Sequence, residues 1–206
     1  MVITMKKILA ACIALFLLLA SMIPAMAATG TTYTVASGDT MWKIAVKYQV
    51  GCSELIAANS QIKNADLIYP GDVLTIPGTD TAVRAYEKEV IRLVNEVRVK
   101  NGLKALTENW ELSRVARYKS QDMHDLKYFS HTSPTYGSPF EMMKAFGLTY
   151  RTAGENIAMG YATPQAVVNA WMNSAGHRAN ILNASYTQIG VGYVASGSYW
   201  TQEFIG

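Results

Sequence analysis

Residues 33–45 read Tyr33-Thr34-Val35-Ala36-Ser37-Gly38-Asp39-Thr40-Met41-Trp42-Lys43-Ile44-Ala45. β-Branched and aromatic residues open the stretch as a strand over Tyr33-Thr34-Val35, and Gly38 turns the chain out of it. Asp39 or Thr40 can cap the next segment, where apolar spacing predicts a helix over Thr40 to Tyr48. Further along, Ser53 to Asn59 predicts a second helix and Val73-Leu74-Thr75-Ile76 a closing strand. Strand, helix, helix and strand within residues 33–77 lie near the lower size at which a core folds without staples. Trp42, Ile44, Leu55 and Leu74 are expected to fill that core.

The spaced set Tyr33-x-Val35-x-x-Gly38-Asp39-Thr40-x-Trp42-x-Ile44-Ala45, with Leu55, Asn59, Ile68, Pro70-Gly71-Asp72, Leu74 and Ile76-Pro77, closely resembles a LysM domain. The resemblance covers residues 33–77. It implies a shallow groove for N-acetylglucosamine-containing glycans such as peptidoglycan or chitin, between the first strand-helix loop and the loop before the last strand. Carried onto this chain, the groove involves Gly38, Asp39, Thr40, Met41, Leu67 and Ile68. Backbone amides in such loops can bond acetamido groups, and Met41 and Ile68 are expected to offer apolar surface to sugar faces. One shallow site should bind weakly unless a glycan array supplies avidity.

Toward the N-terminus, Lys6 and Lys7 precede an apolar run from Ile8 to Ile23, closed by Pro24-Ala25-Met26-Ala27. That is the pattern of an export signal cleaved near Ala27, so residues 1–27 are expected to be removed. The run is short of the ~20 apolar residues of a spanning helix, which argues against an anchor. Leu9-Ala10-Ala11-Cys12 looks like a lipoprotein signal, but most of the apolar run would then lie beyond the cut. Removal takes two of the 18 basic residues and none of the 15 acidic ones, leaving a nearly neutral chain. No basic stripe remains, which excludes nucleic acid as the expected partner. Cys52 is the one cysteine left, so no internal disulfide forms, and it reads as a small core residue.

Pro77-Gly78-Thr79-Asp80-Thr81 is turn-rich, and a linker is expected at 78–82 with a second domain over 83–206. Val83, Tyr86, Val90, Leu93, Val94 and Val97 mark an amphipathic helix over Val83 to Lys100. A second helix is expected over Trp110 to Leu126. Ser138-Pro139-Phe140-Glu141 is a capping box that opens a third at Pro139. Thr163-Pro164 opens a fourth, which Gly176 is expected to end. Ile189 to Val194 and Tyr199 to Phe204, joined by Ala195-Ser196-Gly197-Ser198, read as an antiparallel hairpin. Helices first and strands last, without βαβ alternation, indicate an α+β layered domain.

Asn95-x-x-Arg98-x-x-x-Gly102-Leu103, Asp122-Met123, Phe129-Ser130-His131, Gly154-Glu155-Asn156-Ile157-Ala158 and Trp171-Met172-Asn173-Ser174-x-Gly176-His177-Arg178-x-Asn180-Ile181-Leu182 together resemble the CAP superfamily of cysteine-rich secretory, antigen 5 and pathogenesis-related proteins. The resemblance implies a three-layer α-β-α sandwich. It also implies a cleft that in many members holds two histidines and two glutamates around a divalent metal. His131 matches the first histidine and Glu155 the first glutamate. The second glutamate falls near Asn173 or Ser174, and aromatic residues in Tyr199-Trp200-Thr201-Gln202 replace the second histidine of the Gly-His-x-Thr-Gln pattern. His131, Glu155 and His177 are therefore the candidate set, either for catalysis with zinc as the cofactor or for structural bonding of the loops. No Gly-x-Ser-x-Gly appears, and His124 reads as a solvated surface residue.

The leading expectation is an exported, cell-wall-associated protein, non-enzymatic or of unproven activity, that the LysM module retains on peptidoglycan, in a wall or spore-coat role. A metal-dependent hydrolase of a wall component or peptide, and a lipid-binding CAP protein, are the alternatives.

Overall fold

The computed structural model describes residues 30–78 and 80–206. The expected export signal and its cleavage point lie outside them. The first unit has β1 (Thr31–Thr34), α1 (Met41–Tyr48), α2 (Cys52–Ala57) and β2 (Val73–Ile76), with β1 and β2 paired antiparallel. Thr40, not Asp39, caps α1, its side chain accepting from the Lys43 amide. Buried Asn59 knits the unit: its Nδ2 donates to the carbonyls of Leu55 (2.8 Å) and Thr75 (2.7 Å), and its Oδ1 accepts from the Thr75 amide (2.7 Å). The core is Val35, Met41, Ile44, Ala45, Leu55, Leu74 and Ile76, with Cys52 packed partly against it.

Two expectations change places here. Trp42 is 65% exposed and Met41 only 4%. On a helix, positions 41, 44 and 45 share a face, and position 42 points away from it. Met41 therefore fills the core space expected of Trp42, and its side chain offers no apolar surface to a sugar.

The second unit comprises α3 (Thr81–Lys100), β3 (Thr107–Glu108), α4 (Trp110–Asp125), α5 (Pro139–Ala145), β4 (Ala153–Met159), α6 (Pro164–Asn173), α7 (Ala175–Ile181), β5 (Gln188–Val194) and β6 (Tyr199–Ile205). Asp80 caps α3, so Thr81 and Ala82 of the expected linker form its first turn. The sheet runs β3-β5-β6-β4, with β3 parallel to β5 and the other pairs antiparallel. The helix expected to end at Gly176 stops earlier: Ser174, in extended backbone, ends α6 and precedes a separate helix, α7, which contains Gly176. The Gly154 to Ala158 motif lies on β4.

Helices cover both faces of the sheet, giving the α-β-α sandwich. On one face α3, α6 and α7 meet Ile189, Val191, Trp200 and Phe204 in a core that includes Trp171. On the other, α4 and α5 bring Leu112, Val115, Met142 and Met143 against Ile205. β5 approaches α4 closely because it alternates glycine. A Cβ on Gly192 would stand 2.1 Å from the Ala116 carbonyl carbon. Arg98 is buried, donating to the carbonyls of Lys104, Ile181 and Asn183. It ties α3 to the chain between α7 and β5.

The units touch where α2 meets α4. Arg114 grips Glu54 through Nε (2.6 Å) and Nη2 (2.8 Å), and Tyr118 donates to the same carboxylate (2.8 Å). Burial pushes the Glu54 carboxyl up, but bonds from Arg114, Ser53 and Tyr118 overcome it and bring it to about 2. Among the described residues, no helix is long and apolar enough to cross a membrane.

Candidate functional site

The loop after β1 and the loop before β2 are joined by backbone bonds, Val35 N to Asp72 O (2.8 Å) and Gly71 N to Val35 O (2.9 Å). Asp39 braces the first loop by accepting from Tyr33 Oη (2.6 Å) and the Ala36 amide (2.8 Å). The Tyr33 hydroxyl and that amide hold the Asp39 carboxyl below its ordinary range. Gly38 takes φ +83°, a conformation that other L-residues seldom adopt, and its carbonyl accepts from Lys43 Nζ. Asp72 braces the second loop by accepting from the Tyr69 amide (2.8 Å). Gly38, Asp39 and Thr40 thus lie on one of two tied loops, and Leu67 and Ile68 on the other. Leu67 is exposed, and Ile68 is half-buried against the small core. Exposed Tyr69 (62%) was not foreseen there, although an aromatic directly before Pro70-Gly71 was a visible signal.

In the larger unit, His131 and Glu155 meet: Nδ1 and Oε1 are 2.6 Å apart, with the Glu155 side chain 1% exposed and His131 open to solvent. Glu155 comes from edge strand β4. His131 comes from the loop after α4, which Asp122 shapes by accepting from Tyr128 Oη, Ser133 Oγ (2.7 Å) and Thr135 Oγ1 (2.6 Å). Buried Lys119 donates to Tyr128 Oη (3.1 Å) and to the His131 carbonyl (2.9 Å). The bond to Glu155 raises the basicity of His131. With Nδ1 engaged, Nε2 is the ring nitrogen left available on this exposed side chain.

His177 lies on α7, which packs on the sheet face opposite α4, within range of the His131 charge. Burial first, and then the charge of His131, lower its proton affinity. Its carbonyl accepts from Asn156 Nδ2 (3.2 Å), while Asn180 Nδ2 bonds Asn156 Oδ1 (2.9 Å), so this turn is held by amides. The structure brings His131 and Glu155 together, and His177 feels only the His131 charge, so the three candidates are not a ligand cluster. Among the described residues, no three His, Cys, Asp or Glu side chains are placed to hold one ion. His124 differs from the solvated residue expected: Nδ1 bonds Asp125 (2.6 Å), Nε2 bonds Ser196 (3.0 Å), and the side chain is half-buried.

Sequence reasoning missed Glu203 and Lys119, both buried beside Glu155. A glutamate inside the otherwise uncharged run Tyr199 to Ile205 was the available signal.

Comparison with known proteins gives two family matches: the CAP cysteine-rich secretory protein family over residues 91–204, and the LysM domain over residues 33–77. YkwD of Bacillus subtilis (strain 168) is 62% identical over 132 residues, 64% of this chain and 51% of that protein. The chain thus spans about half the length of that curated relative. A secreted LysM effector of Passalora fulva, ECP6, is 44% identical over 46 residues, 22% of this chain and 20% of the effector. A crystal structure of an extracellular protein containing a SCP domain from Bacillus anthracis str. Ames superposes with a TM-score of 0.58 at 33% identity, covering 66% of this chain and 47% of that one.

Proposed function

Since the chain belongs to the CAP, or cysteine-rich secretory protein, family and carries a LysM domain ahead of it, we propose that it is exported and held on N-acetylglucosamine-containing peptidoglycan. In this reading Gly38, Asp39, Thr40, Leu67 and Ile68 meet the sugar, and the CAP cleft meets a ligand or partner. The observation that carries it is the pair of short loops tied together through Val35 and braced by Asp39 and Asp72. The secreted and extracellular relatives support the location. Cosedimentation of the mature chain with purified peptidoglycan tests it. Pelleting that soluble chitotetraose reverses is expected, and no pelleting at any protein concentration overturns it.

The imidazole–carboxylate pair favours a second reading, in which His131 exchanges a proton with a bound wall fragment or peptide. A base needs a substrate proton within hydrogen-bond reach, and Nε2 is the free position. Release of muropeptides that stops in Glu155→Gln is the result this reading requires. A wall left intact by the wild-type chain leaves the anchored, non-enzymatic protein.

A further inference from the structure

β6 buries Glu203 completely, and neither of its carboxyl oxygens has a hydrogen-bonding partner among ordinary donors. Such a group is costly in an interior unless something satisfies it. The register sets Glu203 between Gly190 on β5 and Glu155 on β4. Its face is the one α4 covers, since Ser120 of α4 donates to Thr201 two positions earlier on the same strand. Directly opposed residues of antiparallel strands place their side chains together, so the two carboxyls adjoin. Glu155 Oε1 bonds His131, yet Glu155 Oε2 is also buried without a donor.

Three buried oxygens of two neighbouring carboxyls thus await a donor. Lys119 is the ammonium nearest them, but its bonds go to Tyr128 Oη and the His131 carbonyl. Asp122 adds negative charge nearby and is occupied by hydroxyls. Two carboxylates in contact do not both stay ionised in a desolvated site. Burial, and after it the charge of Glu155, holds the Glu203 carboxyl well above the usual carboxylate range, with Lys119 opposing. One proton between the pair supplies a donor to Glu155 Oε2 and leaves the remaining Glu203 oxygen an uncharged carbonyl, which costs far less to bury than a carboxylate.

We propose that Glu203 is a positioning residue of the CAP cleft: its neutral carboxyl donates to Glu155 Oε2, so the Glu155 carboxylate is clamped between two donors and holds the His131 ring with Nε2 left available. Glu203 does not touch a ligand. It sets the carboxylate that sets the imidazole, whichever ligand the cleft takes. The inference rests on the cleft alone and not on glycan binding, so the two fail separately.

Infrared spectroscopy of the mature chain at neutral pH, with Glu203→Gln as its reference, tests the proton. The expected result is a carboxylic-acid carbonyl band in the wild type that the Gln variant lacks. Nitrogen NMR of the His131 ring tests the positioning. Gln keeps a neutral donor, so wild type and Glu203→Gln should both show the neutral ring protonated at Nδ1. Glu203→Met keeps the bulk and removes the donor, and a mixture of tautomers is expected. A residue that merely fills space would leave Met equal to wild type. Absence of the band, or an unchanged tautomer in a folded Met variant, overturns the proposal. If the Met variant does not fold, the band and the Gln comparison decide it.

Discussion

The two ends of this molecule build sites from different material. The LysM unit ties its two candidate loops together largely through backbone groups, with Val35, Asp39 and Asp72 holding them and Leu67 and Tyr69 exposed on the second. The CAP unit shapes its cleft with ionisable side chains packed under α4, where Lys119, Glu155 and Glu203 are buried and only His131 emerges. A backbone site depends on loop geometry, and so on the small core that holds the loops. A site of buried charges depends on strand register and on every neighbour's protonation.

The sharpest break in that comparison comes from removing residues 30–78. Pelleting with peptidoglycan should be lost, while the far-ultraviolet circular dichroism of the remaining unit keeps its mixed character. Equal pelleting of the shortened chain would place glycan binding in the wrong unit. Gly192→Ala attacks the other side. Its Cβ collides with the α4 backbone, and overpacking of this kind costs about 3 kcal/mol. Chemical denaturation should show that loss in the CAP unit, with glycan binding intact.

Asn59→Ala is the matching change in the small unit. It leaves the Thr75 amide and carbonyl without their partner, at a cost of about 2 kcal/mol. In so small a core, that loss should weaken pelleting as well as stability.

The contact between units gives the smallest effect, and it depends on pH. Glu54 sits at about 2 against an ordinary 4.5, a lowered value, so its contribution is complete above 4.5 and is lost as pH falls toward 2. The difference in melting temperature between wild type and Glu54→Gln should therefore be present at neutral pH and shrink to nothing in strong acid. A difference that grows on acidification would contradict the assignment.

The same contrast explains what could be read in advance. The LysM unit was legible because its determinants are local: Thr40 caps the helix it precedes, and Gly38 turns the chain out of the strand before it. Trp42 was misplaced because strong hydrophobicity outweighed helical phase, which assigns the core to 41, 44 and 45. In the CAP unit, capping signals located α5 and α6, and the hairpin was visible in its β-rich runs. β4 escaped notice because Gly154-Glu155-Asn156 has little strand character, and only pairing with β6 makes it one. Glu203 escaped for a related reason. Its significance lies in being set against Glu155 across a sheet, and spacing along the chain does not carry that information.

Titration of residues 28–206 with chitotetraose, monitored by amide NMR shifts, tests the central claim most directly. The account predicts shifts concentrated at Ser37 to Met41 and Leu67 to Tyr69, with the amides of His131 and Glu155 unmoved. Shifts confined to the cleft, with both LysM loops silent, would contradict it.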